Sequence, residues 1–117
     1  VLSHTDKVAD IGYHLDLVAT GAYLEFDQPL RHPIGPGNPT VRIVTELVAA
    51  GYESQLMLAT DGARRSLWTA YGGSPGLAAL ATQVVAVLRE EGISTKSINA
   101  MLVANPARFF SFHEEAA

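Results

Sequence analysis

The sequence predicts an α/β fold in which parallel strands alternate with helices. Short apolar runs that end at turn residues alternate along the chain with longer segments whose apolar residues recur at helical spacing. Alternation of this kind is typical of a parallel sheet with right-handed crossovers. Three strands are few for an independent domain with open sheet edges. The pattern therefore predicts the last three βα units, strands six to eight, of a (β/α)8 TIM barrel.

The predicted strands are short and each ends on a polar residue. They lie at Val1–His4, Ala22–Phe26 and Gln55–Thr60. The first looks like the tail of a strand already under way, because the chain begins on valine. We therefore expect residues 1–117 to be the C-terminal portion of one barrel domain whose N-terminal part is missing.

The predicted helices follow these strands and are bounded by capping residues. They cover Tyr13–Thr20 with Asp10 upstream as a cap, a segment that Thr40 caps and Gly51 closes, Leu77–Glu91, and a segment that Ser94 caps and Asn105–Pro106 ends. Ala107–Phe112 is expected to form a final helical or irregular turn. A long Pro/Gly-rich loop separates the first two, and such loops in compact domains are often functional. A second Gly-rich loop, residues 61–76, lacks the lysine and the spacing of a nucleotide-binding loop.

The composition argues against some classes of partner. The chain has eight basic and twelve acidic residues, and the basic residues form no stripe, so nucleic acid is not an expected partner. The chain has no cysteine, which removes disulfides and thiolate metal sites and fits a cytoplasmic location. No apolar run approaches the roughly 20 residues of a membrane span, and no signal peptide is visible.

Asp61 is the first residue to suspect of chemistry. It ends the third predicted strand, and in an α/β barrel catalytic groups gather where strands end at the C-terminal rim. His4 occupies the same kind of position on the first strand. The alternatives are that Asp61 only caps the following turn and that His4 is an ordinary strand-end histidine.

Four segments resemble, in order, the C-terminal part of the phosphotriesterase family of the amidohydrolase superfamily. They are Val1-Leu-Ser-His4-Thr-Asp6, Gly21-Ala-Tyr-Leu-Glu-Phe-Asp27, Leu58-Ala-Thr-Asp61 and Asn105-Pro-Ala-Arg-Phe-Phe110. The resemblance covers nearly the whole chain. It implies a (β/α)8 barrel and a metal-dependent hydrolase whose substrate is a lactone or a phosphorylated sugar lactone, with a phosphotriester as a second activity.

The resemblance also implies two divalent metal ions, zinc being the expectation, at the mouth of the barrel. His4 matches the family's strand-six histidine ligand, and Asp61 matches its strand-eight aspartate. Asp61 would both hold a metal and accept a proton from a hydroxide that bridges the metals. The His-x-His pair of strand one, the bridging residue of strand four and the strand-five histidine have no counterpart in this sequence. The isolated chain is therefore expected to be inactive.

Four further residues are candidate substrate contacts. Arg64 and Arg65 follow Asp61, and one of them is expected to reach over the metal site and clamp an anionic group. Asp27 ends the middle strand, and Trp68 could line a pocket. The alternatives are a surface salt bridge for the arginines, a turn cap for Asp27 and loop packing for Trp68.

Further expectations concern six other positions. Asp6 and Lys7 could orient His4 from behind, and Arg31 with His32 could bind an anion. His14 is a surface or core histidine, and His113 a solvated tail residue. A homodimer is a further possibility. The rival to an enzyme is a noncatalytic half-barrel remnant that associates with itself or with another chain.

Overall fold

The computed structural model describes residues 1–112, and the prediction about His113 lies outside them. It shows a two-layer α/β arrangement with two parallel strands, β1 (Leu24–Phe26) and β2 (Leu56–Leu58). The helices are α1 (Ile11–Ala19), α2 (Pro39–Ala49), α3 (Val85–Glu90), α4 (Thr95–Asn99) and α5 (Asn105–Phe110). Among these residues no helix is long and apolar enough to cross a membrane.

The first predicted strand is reduced to a single bridge. Leu2 pairs in parallel with Leu24, donating from its amide to the Tyr23 carbonyl at 2.8 Å and accepting from the Glu25 amide at 2.9 Å. The extended backbone then stops, because His4 takes a left-handed φ of 60° and a 3-10 turn, Thr5–Lys7, follows. The parallel order Leu2, β1, β2 matches the predicted order of the three units, but only two of the predicted strands form.

Strand β1 separates an apolar core from a polar edge. Leu24 and Phe26 are fully buried and pack with Val18 of α1 and with Val41, Val44 and Leu47 of α2. Residues on opposite faces of a strand alternate, so Glu25 lies on the other face, beside Met57 in the register. This packing fixes β1 firmly and thereby fixes the polar residues that follow it.

Two predicted caps have different outcomes. Asp10 accepts a hydrogen bond from the Tyr13 amide at 2.9 Å and begins α1, as expected. The prediction that Thr40 caps α2 is wrong, because Asn38 accepts from the Thr40 amide at 3.0 Å. Proline suits the first turn of a helix, where its missing N–H is not needed, so α2 begins at Pro39.

The first of the two C-terminal helical segments agrees with the predicted helix Leu77–Glu91, and the second differs from its prediction. Residues 77–90 form one continuous helical segment that starts as a 3-10 turn, passes through a π-helical turn (Leu80–Val84) and ends as α3. The prediction that Asn105–Pro106 ends the last helix is wrong. A π-helical turn (Ala100–Ala104) precedes the proline, which then lies in the first turn of α5, where it is tolerated.

Candidate functional site

Five polar residues meet where the two strands end, and we call them the strand-end cluster: His4, Asp27, Gln28, Arg31 and Asp61. Asp27 and Gln28 follow β1 directly, and Asp61 follows β2. His4 and Asp61 are the only non-glycine residues with positive φ among residues 1–112, at 60° and 41°. Backbone held in this region costs free energy and is most often found at functional sites.

His4 and Asp27 are hydrogen-bonded at the edge of the cluster. The His4 Nδ1 atom lies 2.8 Å from Asp27 Oδ1 and 2.7 Å from Oδ2. Because a carboxylate only accepts hydrogen bonds, Nδ1 carries the proton and Nε2 is left without a partner among residues 1–112. Asp27 is 3% exposed and His4 is 48% exposed. The hydrogen bond and the charge of Asp27 raise the pKa of His4 above its ordinary 6.5.

Asp61 is held through one of its two carboxylate oxygens. Gln28 Nε2 donates to Asp61 Oδ2 at 3.0 Å, and Arg31 Nη2 donates to the same atom at 2.9 Å. Arg31 Nη2 also donates to the backbone carbonyl of Asp61 at 2.6 Å. The hydrogen bonds from Gln28 and Arg31 and the charge of Arg31 hold the pKa of Asp61 below its ordinary range. Oδ1 accepts no hydrogen bond within residues 1–112.

Gln28 joins the two halves of the cluster and was missed in the sequence. Its amide nitrogen donates to Asp27 Oδ1 at 2.7 Å as well as to Asp61. With both amide hydrogens taken by carboxylates, its 3.4 Å approach to His4 Nδ1 is a contact between two donors. Gln28 is buried. A glutamine next to a strand-end aspartate does not by itself indicate burial in the sequence.

Asp6 supports the strand-end cluster by accepting hydrogen bonds from its backbone. It is 3% exposed and accepts from the Gln28 amide at 2.8 Å, from the Asp27 amide at 3.3 Å and from Thr40 Oγ1 at 2.6 Å. The prediction that Asp6 orients His4 directly needs correction. Asp6 instead fixes the backbone of Asp27, the partner of His4. Lys7 is exposed and makes no side-chain hydrogen bond within the described residues.

Glu25 is a carboxyl group that sequence analysis did not single out. It lies two residues before Asp27, on the same face of β1. Burial, followed by a hydrogen bond with Asp27 and the charge of Asp27, raises its pKa.

The predicted arginine contact is made by a different residue. Arg64 and Arg65 are both exposed, and the guanidinium that reaches Asp61 belongs to Arg31. Arg65 instead lies over the ring of Tyr71, 4.4 Å from its centroid. The structure does not place either arginine over Asp61, because the loop turns away into two 3-10 turns, Arg65–Leu67 and Thr69–Tyr71.

Trp68 packs within the loop that follows β2. Its Nε1 donates to the Gly62 carbonyl at 2.6 Å, and its ring lies 5.8 Å from that of Tyr71. Leu67 is buried in the core, so the loop is anchored on both sides of Trp68. These contacts agree with the alternative that Trp68 packs the loop, and a substrate contact stays a prediction.

The remaining predicted histidines lie away from the cluster. His32 is exposed in the Pro/Gly-rich loop. His14 is fully buried in the core, with Nδ1 2.6 Å from the Asp10 carbonyl and Nε2 3.0 Å from the Thr5 carbonyl. It ties α1 to the 3-10 turn that follows His4. His14 is therefore a structural residue.

The cluster fits part of a metal site. Within residues 1–112 no three His, Cys, Asp or Glu side chains come together as a cation site. A histidine whose other ring nitrogen donates to a carboxylate is, however, the usual arrangement of a metal-binding imidazole. His4 Nε2 and Asp61 Oδ1 are the two atoms the network leaves open, and both types ligate zinc. These two atoms could serve as two ligands of a metal site, and such a site would need further ligands.

Residues 1–110 match the sequence profile of the Phosphotriesterase family. The phosphotriesterase homology protein of Escherichia coli is 30% identical, and its crystal structure, with phosphate in the active site, superposes with a TM-score of 0.84 over 93% of this chain and 37% of that one. A lactonase from Listeria monocytogenes is 31% identical, with a TM-score of 0.83 over 97% of this chain and 36% of that one. The human N-acetyltaurine hydrolase is 29% identical, covering 96% of this chain and 35% of the relative. The chain thus spans roughly a third of the length of these relatives.

Proposed function

The chain belongs to the phosphotriesterase family, and on that premise we propose that residues 1–117 are the C-terminal part of a metal-dependent hydrolase built on a (β/α)8 barrel. Relatives with solved structures are phosphotriesterase-like proteins of which this chain spans 34–37%. The parallel order of Leu2, β1 and β2 agrees with three successive strands of such a barrel. The missing ligands would come from the N-terminal strands.

One observation carries this proposal: the hydrogen-bond network leaves open the two atoms that a metal needs. Asp27 occupies His4 Nδ1, while Gln28 and Arg31 occupy Asp61 Oδ2. His4 Nε2 and Asp61 Oδ1 are thereby oriented as ligands before any cation binds. Preorganised ligands of this kind lose less conformational freedom on binding.

Each residue of the cluster has a task in this mechanism. Two divalent cations, zinc by our proposal, would supply an activated water molecule as nucleophile at neutral pH. Asp61, ionised because its pKa is low, would hold a cation and accept the proton of that water. Asp27 keeps the His4 ring in the tautomer that exposes Nε2. Gln28 keeps the Asp27 and Asp61 carboxylates in fixed relation.

The substrate that we propose is a lactone, with a phosphorylated sugar lactone as the first choice and a phosphotriester as a second activity. The lactonase from Listeria monocytogenes supports the first choice, and the phosphate bound to the Escherichia coli protein supports an anionic substituent. The N-acetyltaurine hydrolases make an N-acyl amide the competing substrate class. Arg64 is exposed and does not lie over Asp61, so we propose it for an anionic substituent away from the reacting bond, since Arg65 is stacked on Tyr71.

The test uses the full-length protein that carries this sequence. The protein is stripped with a chelator, reloaded with zinc, and assayed on a phosphorylated sugar lactone, a neutral lactone, a phosphotriester and an N-acyl amide. We expect lactone hydrolysis that disappears on stripping and returns with zinc. Hydrolysis of the amide alone would move the protein to the other substrate class. A full-length protein that binds no metal and hydrolyses none of the four would favour the noncatalytic remnant.

A further inference from the structure

We propose that Arg31 is the positioning residue of Asp61: its guanidinium fixes the backbone and the carboxylate of Asp61 together, so that Oδ1 remains available. The inference rests on the proposed function, because it assigns Arg31 a task in presenting Asp61. Sequence analysis placed Arg31 among weak anion-binding candidates. The structure gives it a different role, as a group that acts through Asp61.

The geometry that carries this inference is a double contact by one nitrogen. Arg31 Nη2 donates to the Asp61 carbonyl at 2.6 Å and to Asp61 Oδ2 at 2.9 Å. A bond to the carbonyl alone would fix the backbone, and a bond to the carboxylate alone would fix the side chain. Together they hold Asp61 at its φ of 41°, a conformation that a non-glycine residue keeps only when its surroundings impose it.

The position of Arg31 in the fold makes it a rigid anchor. It closes the 3-10 turn Pro29–Arg31 that follows β1, and its amide donates to the Gln28 carbonyl at 3.1 Å. Its neighbour Leu30 is buried in the core at 5% exposure. The turn that carries Gln28 therefore also carries Arg31, and both residues reach across from the end of β1 to the end of β2.

Burial argues against a direct substrate contact by Arg31. Its side chain is only 14% exposed, and its Nε and Nη1 atoms are buried without a hydrogen-bond partner within residues 1–112. The nitrogen of Arg31 that makes side-chain hydrogen bonds within residues 1–112 is Nη2, and both of its bonds go to Asp61.

The contact also predicts how substitutions should rank. Since a single nitrogen makes both bonds, a lysine ammonium can reproduce part of the interaction, although it lacks the planar guanidinium. Alanine removes both bonds and leaves space that a free guanidinium ion can enter. Arg31→Lys should therefore be intermediate between the wild type and Arg31→Ala.

The first experiment measures activity in the full-length, zinc-loaded protein. We expect Arg31→Ala to lower kcat roughly 10- to 100-fold with little change in KM, because charge-assisted hydrogen bonds at the reacting centre are lost. We expect Arg31→Lys to lose less activity than Arg31→Ala. We expect added free guanidinium ion to restore activity to Arg31→Ala. Arg89→Met, which removes an exposed arginine at the end of α3, is the control and should match the wild type. A wild-type kcat in Arg31→Ala, or a loss that neither lysine nor guanidinium relieves, would overturn the inference.

The second experiment needs no activity and separates this inference from the proposed function. Crystal structures of the full-length wild type, Arg31→Lys and Arg31→Ala are compared at Asp61. The inference expects Asp61 to leave positive φ in Arg31→Ala and to keep it in Arg31→Lys. Positive φ retained in Arg31→Ala would overturn it. If the wild type shows no metal-dependent hydrolysis, the proposed function fails, and this comparison alone decides the role of Arg31.

Discussion

The strand-end cluster and the loop that follows β2 both contain residues predicted to act in the site, but they are organised in opposite ways. In the cluster His4, Asp27, Gln28, Arg31 and Asp61 come from three separate segments and bond to one another. In the loop, residues 61–76, Arg65, Trp68 and Tyr71 are neighbours in sequence that pack mainly on themselves.

The difference teaches that strand ends, rather than sequence neighbours, bring the functional groups together. Arg64 and Arg65 lie within four residues of Asp61 in the sequence, but the loop that carries them turns away from it. Arg31 lies thirty residues earlier and donates hydrogen bonds to Asp61. In a parallel sheet the carboxyl ends of adjacent strands share one edge, so residues that follow β1 meet residues that follow β2. The predictions below test whether the two regions are also separate in function.

The largest effect is expected from Asp61→Asn in the full-length protein. The amide removes a metal ligand and the proton acceptor, so kcat on the lactone should fall about 10²- to 10⁴-fold. Steady-state kinetics measure this, with Asp16→Asn on the exposed face of α1 as the matched control. Activity within a few-fold of the wild type would remove Asp61 from the chemistry.

The next effect concerns Asp27→Asn, which removes the charge behind His4. Partners that orient a ligating histidine are worth about 10- to 100-fold in metal affinity, so the zinc dissociation constant should rise by that factor. Competition with a chromophoric chelator measures it at neutral pH. An unchanged affinity would show that His4 is not a ligand or that Asp27 does not orient it.

The same variant should change the pH dependence of metal binding. Metal binds the neutral imidazole, so protons compete below the pKa of His4. That pKa is raised by Asp27, and wild-type affinity should therefore increase with pH through a value above 6.5. Asp27→Asn should move this transition to lower pH. Zinc titrations over a series of pH values check it, and a transition that stays in place would contradict the assigned cause.

The loop is tested by comparing two neighbouring arginines. Arg64→Ala should lower kcat/KM on a phosphorylated lactone roughly 10- to 100-fold and on a neutral lactone much less, because a charge-assisted contact is lost. Arg65→Ala should affect both substrates equally, since Arg65 is stacked on Tyr71. Equal losses for both substrates in Arg64→Ala would assign that residue to loop support as well.

The smallest effect is one of stability rather than activity. Asp6 accepts three hydrogen bonds below the cluster, and Asp6→Asn replaces one accepting oxygen by a donor. The free energy of unfolding of the full-length protein should fall by about 1.5–3 kcal/mol. Urea unfolding measures this beside Asp16→Asn. No loss would show that Asp6 does not hold the ends of β1 and α2 together.

The sequence predicted the two strands and the two aspartates that follow them. Apolar runs located β1 and β2, and the positions at which they end located Asp27 and Asp61. Capping chemistry located the start of α1, where Asp10 is adjacent to the residues that it caps. These features depend on neighbours in sequence, so a single sequence shows them.

The contacts between segments were not predictable in the same way. The reach of Gln28 to Asp61 spans 33 residues, and that of Asp6 to Thr40 spans 34. The Thr40 hydroxyl bonds Asp6 across the core, and this partner is invisible to a capping rule that looks only along the chain. The contact between His4 and Asp27 likewise joins residues that are 23 positions apart.

We propose that His4 and Asp61 present Nε2 and Oδ1 to one metal site, and the most direct test is an anomalous difference map from crystals of the full-length protein loaded with zinc. We expect zinc about 2.0–2.2 Å from His4 Nε2 and from Asp61 Oδ1, with Asp27 still bonded to His4 Nδ1 and Arg31 still bonded to Asp61 Oδ2. Zinc bound elsewhere, or a strand-end cluster with no zinc at all, would contradict it.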